Sequence, residues 1–310
     1  MSEMEQYVLK TNGLTKSYKG EFALRDLSIA IEPGRIYGLI GQNGAGKSTF
    51  MRLVAGLAFP TAGSIELFGQ SGAKDLQDER KRLGCMIEYP SITPNMSAKD
   101  NLKFHRILRG IPSETIENEL LALVGLNNTG TKKAKNFSLG MKQRLGIAIA
   151  LLGDPELLIL DEPINGLDPL GVVEIRNLLI KLCEERHMTI LISSHNLPEL
   201  YQVATDYLII HQGKLMQSIT LAELEENCKH HFLINCNQPE KLVSVLETEL
   251  NTVNYKVMPD NTVKLYDYLG EQEVVAKKLY ENGIAVSNFS IQGDTLEDYF
   301  ISVIGGGLND

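Results

Sequence analysis

The sequence predicts an α/β fold followed by a small α+β domain, and three observations support this prediction. An apolar run over residues 36–40 leads directly into a glycine-rich loop and then into a helical pattern over residues 50–57. Two more apolar runs, residues 157–160 and 189–192, end in polar side chains. Beyond residue 219, short strand and helix patterns alternate. Buried strands that alternate with helices are typical of an α/β core.

The glycine-rich loop has the context that a phosphate-binding loop requires, between a buried strand and a helix. Its glycines, Gly41, Gly44 and Gly46, allow the backbone to curl so that N–H groups point towards phosphate oxygens. The N-terminus of the following helix adds roughly half a positive charge. Lys47 is expected to reach the β- and γ-phosphates, and the Ser48 hydroxyl is expected to bind Mg²⁺. The chain is therefore predicted to bind a nucleoside triphosphate.

Two adjacent carboxylates follow the apolar run 157–160. A buried strand seldom ends in two acids unless they meet cations or water. Asp161 suits Mg²⁺ coordination through water, and Glu162 suits the polarisation of the water that attacks the γ-phosphate. His195 ends the next apolar strand, residues 189–194, where it can donate a hydrogen bond to the same phosphate. Glu162 and His195 are therefore the candidate catalytic residues.

Two further features suit a nucleotide but are unspecific when taken alone. Ser138 stands at the N-cap position of an apolar helix over residues 145–152, so its hydroxyl and the unpaired amides would form a second anion-binding helix N-terminus. Tyr18 lies between predicted strands at residues 7–10 and 23–31 and could stack its ring on a purine. A plain helix cap and a half-buried strand tyrosine are the commoner interpretations of such residues.

Residues 98–126 show helical periodicity, and Leu102, Phe104, Ile107 and Leu108 are expected to share one helix face. The last part of the chain predicts a strand at 231–236, a helix at 239–250, strands at 253–258 and 262–267, a helix at 271–282, a strand at 285–291 and a final helix that starts at Thr295. This βαββαβ order indicates a ferredoxin-like domain.

Composition and charge exclude several classes of function. The chain is 43% hydrophobic and 22% charged, as soluble globular proteins are, and no run approaches the roughly 18 apolar residues of a membrane span. The N-terminus lacks a signal-peptide core, and the four cysteines form no CxxC pair, so we expect reduced cytosolic thiols. The net charge of −9 arises in residues 219–310, which carry 6 Lys and Arg against 15 Asp and Glu. Neither part has the basic surplus of a nucleic-acid binder.

The order of these motifs resembles that of the ATP-binding subunit of ABC transporters over about residues 5–218. The resemblance implies a P-loop core with antiparallel β and helical subdomains over residues 1–218, the helical part at about 89–145, and an accessory domain over residues 219–310. It implies ATP and Mg²⁺ as cofactors. By the resemblance, the Walker A residues that bind ATP are Gly41, Asn43, Gly44, Ala45, Gly46, Lys47, Ser48 and Thr49.

The same resemblance assigns the remaining motifs. Tyr18 becomes the adenine-stacking aromatic, Asp161 ends the Walker B strand, and Glu162 is the catalytic base. His195 is the switch histidine, and Asp168 lies in the D-loop. Ser138 and Gly140 belong to the signature motif, which contacts the ATP of a second subunit in a head-to-tail dimer. The implied partners are a second, identical ATP-binding subunit and a separate transmembrane permease, with the chain at the cytoplasmic face of the membrane.

Two departures from the family pattern narrow the resemblance. Residues 138–142 read Ser-Leu-Gly-Met-Lys at the signature motif, where the family usually has Leu-Ser-Gly-Gly-Gln. Glu88 stands where the family usually has a glutamine near the metal, and an ionised carboxylate cannot donate a hydrogen bond. Together these departures resemble the ATPases of bacitracin-type and lantibiotic-immunity exporters, which move antimicrobial peptides away from the cell.

Two alternative functions are less well supported. A soluble ABC-type ATPase of translation usually carries two cassettes, and one of DNA repair carries long coiled-coil insertions, whereas this chain has one Walker A motif and an ordinary helical subdomain. A P-loop kinase outside the ABC family would leave the signature motif and His195 without a role.

Overall fold

The computed structural model describes residues 7–113, 115–293 and 295–305. The chain divides into two compact units, with the boundary between Leu221 and Ala222. Among the described residues, no helix combines the length and the apolar character needed to cross a membrane.

The first unit contains two sheets together with α-helices and short 3₁₀ helices. Its strands are β1 (Leu9–Tyr18), β2 (Glu21–Leu27), β3 (Ala30–Ile31), β4 (Ile36–Ile40), β5 (Ala62–Leu67), β6 (Leu83–Met86), β7 (Leu157–Asp161), β8 (Thr189–Ser194), β9 (Asp206–His211) and β10 (Lys214–Thr220). Its α-helices are α1 (Lys47–Val54), α2 (Ala73–Glu79), α3 (Ala98–Leu108), α4 (Ile116–Leu123), α5 (Leu139–Ala150), α6 (Pro169–Arg186) and α7 (Leu197–Tyr201). Single-turn 3₁₀ helices lie at Arg80–Arg82, Asn127–Thr129 and Ala134–Asn136.

The six-stranded sheet, in the order β10-β9-β4-β8-β7-β6, positions the predicted site. Its strands are parallel except for the antiparallel edge strand β10. Every residue of β4, β7 and β8 is buried, which explains their continuous apolar runs. Ile40 pairs with Ser194, and Asp161 pairs with Ser193, so the loops after these three strands leave the sheet at one edge.

The second sheet of this unit is antiparallel, and here one prediction is wrong. β1 pairs with β2, β3 and β5 and is a single strand of ten residues that includes Tyr18, rather than a short strand followed by a linker. Its pairing with β2 shifts register twice, between Leu14 and Lys16 and between Lys16 and Ser17. Those irregularities break the period of two that marks a strand in a sequence.

The helical subdomain consists of α3, α4 and α5, which pack against one another. The expectation that Leu102 shares a face with its apolar neighbours is wrong. Leu102 is fully buried, whereas Phe104, Ile107 and Leu108 are 45%, 61% and 71% exposed. At about 100° per residue, Phe104 lies roughly 200° around the helix from Leu102. These three exposed apolar side chains lie on the side of α3 opposite Leu102.

The second unit confirms the ferredoxin-like prediction. Its elements are α8 (Leu221–Cys228), β11 (His231–Cys236), α9 (Pro239–Thr248), β12 (Tyr255–Val257), β13 (Thr262–Leu265), α10 (Gln272–Glu281), β14 (Val286–Gln292) and α11 (Leu296–Gly305). The antiparallel sheet has the order β12-β13-β11-β14, with the first strand in the centre as this fold requires. Alternate residues of β11, Phe232 and Ile234, join Leu246 of α9 and Val275 of α10 in its core.

Candidate nucleotide-binding and hydrolysis site

The glycine-rich loop connects β4 to α1, and two of its glycines are required by close contacts. Gly46 is the N-cap of α1 with φ 109°, and a Cβ there would lie 2.6 Å from the carbonyl oxygen of Ala23. A Cβ on Gly41 would lie 2.5 Å from the carbonyl oxygen of Ile210. Neither position tolerates a side chain without backbone movement. The first turn of α1 presents N–H groups that have no partner within the helix, as an anion site needs.

Lys47 lies beneath this loop as a buried cation. Its side chain is only 6% exposed, and its Nζ donates hydrogen bonds to the carbonyl oxygens of Gly41 at 2.6 Å and Gln42 at 3.4 Å. Burial lowers the pKa of Lys47, while the carboxylates of Glu162 and Asp161 act in the opposite direction. The Nζ lies 3.7 Å from Oε1 of Glu162, so the two charges partly neutralise each other.

The two acids at the end of β7 face different groups. Asp161 is buried, and its Oδ1 accepts a hydrogen bond from the Ser193 hydroxyl at 2.6 Å. Glu162 adopts a left-handed backbone, with φ 50°. Its Oε2 lies 2.7 Å from Nδ1 of His195. Because a carboxylate only accepts, that histidine nitrogen carries the proton and donates. The arrangement holds the Glu162 carboxylate between a histidine and a lysine.

A cavity of about 360 Å³ collects most of the predicted site residues. Its lining comprises Ala23, Asn43, Gly44, Ala45, Gly46, Lys47, Ser48, Thr49, Glu162, Asn165 and His195. A second cavity of about 870 Å³ shares Glu162 and Asn165 with the first and is also lined by Asp161 and Glu88. The two adjoining cavities thus bring the loop, the two acids and the histidine close together.

Seven predicted residues lie outside the lining of the smaller cavity: Asp161 and Glu88 line the larger one, and Gly41, Tyr18, Ser138, Gly140 and Asp168 line neither. Tyr18 is at the end of β1 with a half-exposed ring, and the Lys16 ammonium lies 4.8 Å from the centre of that ring. Ser138 is the N-cap of α5, as predicted, and its hydroxyl accepts a hydrogen bond from the Met141 N–H at 3.2 Å. Gly140 lies in the first turn of the same helix. Asp168 is the N-cap residue of α6, but its side chain makes no capping hydrogen bond.

Glu88 has an ion-pair partner that the sequence did not indicate. Its backbone is left-handed, with φ 65°, and its carboxylate forms an ion pair with the guanidinium of Arg52. Arg52 lies on α1 one helical turn after Ser48 and therefore on the same side of the helix. The Glu88 side chain is thus tied to the helix of the phosphate-binding loop.

Sequence reasoning assigned no role to Ser193 or to Asn165, although both belong to this site. Asn165 lines both cavities, and Ser193 bridges the two acids from the neighbouring strand. The available signal was a buried apolar strand that ends in two hydroxyls, Ser193 and Ser194, beside a strand that ends in acids.

The donor set suits Mg²⁺. The Ser48 hydroxyl and the Asp161 carboxylate are the oxygen ligands that this ion prefers, and Mg²⁺ commonly takes its other ligands from water and substrate phosphates. The residues present therefore fit the ion.

Sequence comparison places the chain among transport proteins. A profile of the ABC transporter family matches residues 24–165. The chain is 42% identical to a bacitracin transport ATP-binding protein from Bacillus licheniformis, with 97% of the chain and 98% of the relative covered. It is 37% identical to a bacitracin transport ATP-binding protein from Enterococcus faecalis, with the same shares covered. A lantibiotic transport ATP-binding protein from Streptococcus pyogenes is 46% identical over 67% of the chain and 89% of the relative.

Solved structures agree with this grouping. An ATP-binding subunit of an ABC transporter matches with a TM-score of 0.63 at 28% identity, covering 71% of the chain and 92% of that structure. A dimeric bacterial ABC transporter cassette matches with a TM-score of 0.63 at 25% identity, covering 69% and 98%. The chain therefore belongs to the ATP-binding subunits of ABC transporters, a family of ATPases.

Proposed function

We propose that this chain is the ATPase subunit of an exporter that moves an antimicrobial peptide through a separate transmembrane permease. The observation that carries the hydrolytic part is the placement of Glu162, hydrogen-bonded to His195 and 3.7 Å from Lys47 beside the phosphate-binding loop. The peptide substrate is supported by the relatives that are named bacitracin and lantibiotic transport proteins.

The smaller cavity is the proposed place of the ATP phosphates. The amides of residues 43–49 would bind the β- and γ-phosphates, and Lys47 would neutralise part of their charge. Tyr18 would stack on the adenine ring. Ser48 and Asp161 would hold Mg²⁺, with Glu88 nearby, and the ion supplies charge neutralisation at the phosphates when bound.

Hydrolysis then requires a base and a positioned water. In the proposed reaction the water oxygen forms a bond to the γ-phosphorus while the bond from that phosphorus to the β,γ-bridging oxygen breaks. ADP and inorganic phosphate leave, and Glu162 accepts the water proton. His195 donates its Nδ1 proton to Glu162, so Nε2 can donate a hydrogen bond to a γ-phosphate oxygen only when the ring carries both protons. His195 thereby orients the base and senses the phosphate.

A second, identical subunit would complete each site. Ser138, Gly140 and Asp168 lie outside the cavity that the phosphate-binding loop forms, so one chain leaves them without a nucleotide. In a head-to-tail dimer the N-terminus of α5, capped by Ser138, would meet the γ-phosphate bound by the partner subunit. The dimeric cassette among the structural matches supports this assembly.

The permease would contact the chain at the cytoplasmic face of the membrane. We place this contact near the larger cavity, where the Glu88 segment and the exposed Tyr89 connect the hydrolytic site to the surface. No role in nucleic-acid binding is proposed, because neither unit carries a basic surplus.

Glu162→Gln tests the hydrolytic assignment. The variant is expected to bind ATP as the wild type does, to lose at least about 100-fold in turnover, and to accumulate as an ATP-bound dimer. Phosphate release, binding of a fluorescent ATP analogue and light scattering measure these three properties. Glu185→Gln, an exposed carboxylate on α6, is the matched control and should behave as the wild type. Turnover at the wild-type rate in Glu162→Gln would remove Glu162 as the base.

Export is tested separately in cells. Deletion of the gene should increase sensitivity to bacitracin or to a lantibiotic, and wild-type chain but not Glu162→Gln should restore resistance. Unchanged sensitivity to both classes would contradict the proposed substrate while leaving the ATPase assignment intact.

A further inference from the structure

Ser193 links the two acids of the hydrolytic site through one hydroxyl group. It lies in β8, is fully buried, and pairs in register with Asp161 of β7. Its Oγ donates a hydrogen bond to Oδ1 of Asp161 at 2.6 Å and accepts one from the backbone N–H of Glu162 at 2.9 Å. The two contacts join the proposed metal ligand to the backbone of the proposed base.

The directions of these hydrogen bonds follow from the chemistry of the partners. An ionised carboxylate can only accept, and a backbone N–H can only donate. The Ser193 hydroxyl therefore points its proton at Asp161 and offers a lone pair to Glu162. The short O–O distance to Asp161 is that of a charge-assisted bond. Each of these two hydrogen bonds holds the Ser193 hydroxyl in the orientation that the other one requires.

The Glu162 contact holds an unusual backbone. Glu162 has φ 50°, a left-handed conformation that is unfavourable for a residue with a Cβ. Such a conformation persists when its surroundings fix it. The bond from the Glu162 N–H to Ser193 supplies one such constraint at the residue whose carboxylate meets His195.

We propose that Ser193 is a positioning residue of this site, which fixes the Asp161 carboxylate and the Glu162 backbone together. The proposal rests on the roles proposed above for Asp161 and Glu162. Ser193 lies outside the lining of both cavities, so it acts through those two residues and has no contact of its own with ATP. Metal binding and placement of the base are then coupled through one buried hydroxyl.

Two other buried hydroxyls in the same unit make hydrogen bonds that serve the backbone alone. Ser194, the next residue of β8, is also buried, but its hydroxyl accepts from the N–H of Asn196 and does not touch either acid. Thr11 of β1 is the closer match. Its buried hydroxyl donates to the Leu27 carbonyl oxygen and accepts from the Ile29 N–H, each at 3.0 Å, within the antiparallel sheet. Thr11→Val therefore removes an equivalent pair of hydrogen bonds elsewhere.

The test compares Ser193→Ala and Ser193→Cys with Thr11→Val. Cysteine is close to serine in size but has only a weak donor, so it retains the packing and loses the bond. The readouts are the Mg²⁺ concentration for half-maximal binding of a fluorescent ATP analogue, kcat and the KM for ATP at saturating Mg²⁺. Removal of a partner that orients a metal ligand typically reduces metal affinity or activity 10- to 100-fold.

We expect the Mg²⁺ concentration for half-maximal binding to rise about 10-fold or more in both Ser193 variants, and kcat to fall by a similar factor. The KM for ATP should change less than threefold. Thr11→Val should retain the wild-type values of all three. Mg²⁺ requirement and kcat within threefold of wild type in both Ser193 variants would overturn the proposal. An equal shift in Thr11→Val would overturn it as well.

A cycle with Asp161→Asn separates this link from the proposed function itself. If Ser193 acts through Asp161, Ser193→Ala adds little to the Mg²⁺ requirement once Asp161 has become an amide. A shift that persists undiminished in that background would overturn the link. The role of Glu162 as the base is tested separately, by the turnover of Glu162→Gln. The Mg²⁺ binding measurement does not depend on the outcome of that test.

Discussion

Asn101 is expected to be the main polar support of the segment that leads from Glu88 into the helical subdomain. The side chain lies on α3 and is fully buried. Its Oδ1 accepts from the Thr93 N–H at 2.7 Å, while its Nδ2 donates to the carbonyl oxygens of Thr93 at 3.2 Å and Ser97 at 2.9 Å. One amide thus satisfies both backbone groups of Thr93.

Asn101→Ala removes all three hydrogen bonds. A hydrogen bond contributes a net 0.5–1.5 kcal/mol or so, which gives about 3 kcal/mol for the set. Thr93 is partly exposed, so water replaces some of the lost hydrogen bonds and the loss of stability does not exceed this value. A change of about 3 kcal/mol lowers the melting temperature by roughly 6–12 °C in a unit of 150–250 residues.

Thermal unfolding followed by circular dichroism measures this change. Asn118→Ala is the control, because Asn118 is an exposed residue of α4 and alanine is the better helix former there. The affinity of Asn101→Ala for ATP should remain within threefold of wild type, since Asn101 lies outside the nucleotide cavity. If the melting temperature of Asn101→Ala falls by less than about 2 °C, or by no more than that of Asn118→Ala, the reasoning is refuted.

Three further predictions concern charges. Arg52 and Glu88 are 37% and 50% exposed, so a double-mutant cycle with Arg52→Gln and Glu88→Gln should give a coupling of only about 0.2–1 kcal/mol that falls in 1 M salt; a larger, salt-independent value would contradict this. The Glu117 side chain is 3% exposed and forms an ion pair with Arg106 at 2.7 Å, so Arg106→Met should destabilise the protein by about 3–5 kcal/mol. In urea unfolding, the double variant with Glu117→Leu should regain most of that stability, whereas additive losses would contradict the prediction. Burial lowers the pKa of Lys47 below 10.5, so ATP affinity should be constant near neutral pH and should fall as the pH rises through that lowered pKa. Glu162→Gln removes a carboxylate that raises the pKa of Lys47, so the variant should lose ATP affinity at a lower pH than the wild type. An unchanged pH profile in Glu162→Gln would contradict the contact between Lys47 and Glu162.

Features that depend on local sequence could be predicted. The phosphate-binding loop, the Asp161 strand end and the Ser138 helix cap each combine an apolar run with a residue type that has one preferred backbone role. The ferredoxin-like order of the second unit followed from the same kind of pattern. In each of these, the individual strand, loop or helix end is marked by residues that lie next to it in the sequence.

Features that depend on register between distant strands could not be predicted. Ser193 is paired with Asp161 only because β7 and β8 align, and the sequence separates the two residues by a whole helix. The requirement for Gly41 comes partly from Ile210 of β9, a strand that no motif marked. The burial of Leu102 apart from Phe104, Ile107 and Leu108 could not be predicted either, because four apolar residues in one helix do not by themselves form one stripe.

The ion pair of Glu88 explains how the site accommodates a third acid. Glu88 lines the larger cavity with Asp161 and Glu162, and Glu162 also lines the smaller cavity proposed for the phosphates, so an unpaired Glu88 carboxylate would add a negative charge beside that site. Arg52 offsets that charge from the helix that begins with Lys47. Glu88→Gln alone therefore does not reproduce a site with a native glutamine, because it leaves Arg52 as an uncompensated cation one turn from Ser48. The double variant with Arg52→Gln is the appropriate comparison, and we expect it to lie closer to wild type in Mg²⁺ requirement than Glu88→Gln does. If the single and double variants behave alike, Arg52 plays no part in adapting this site to a glutamate.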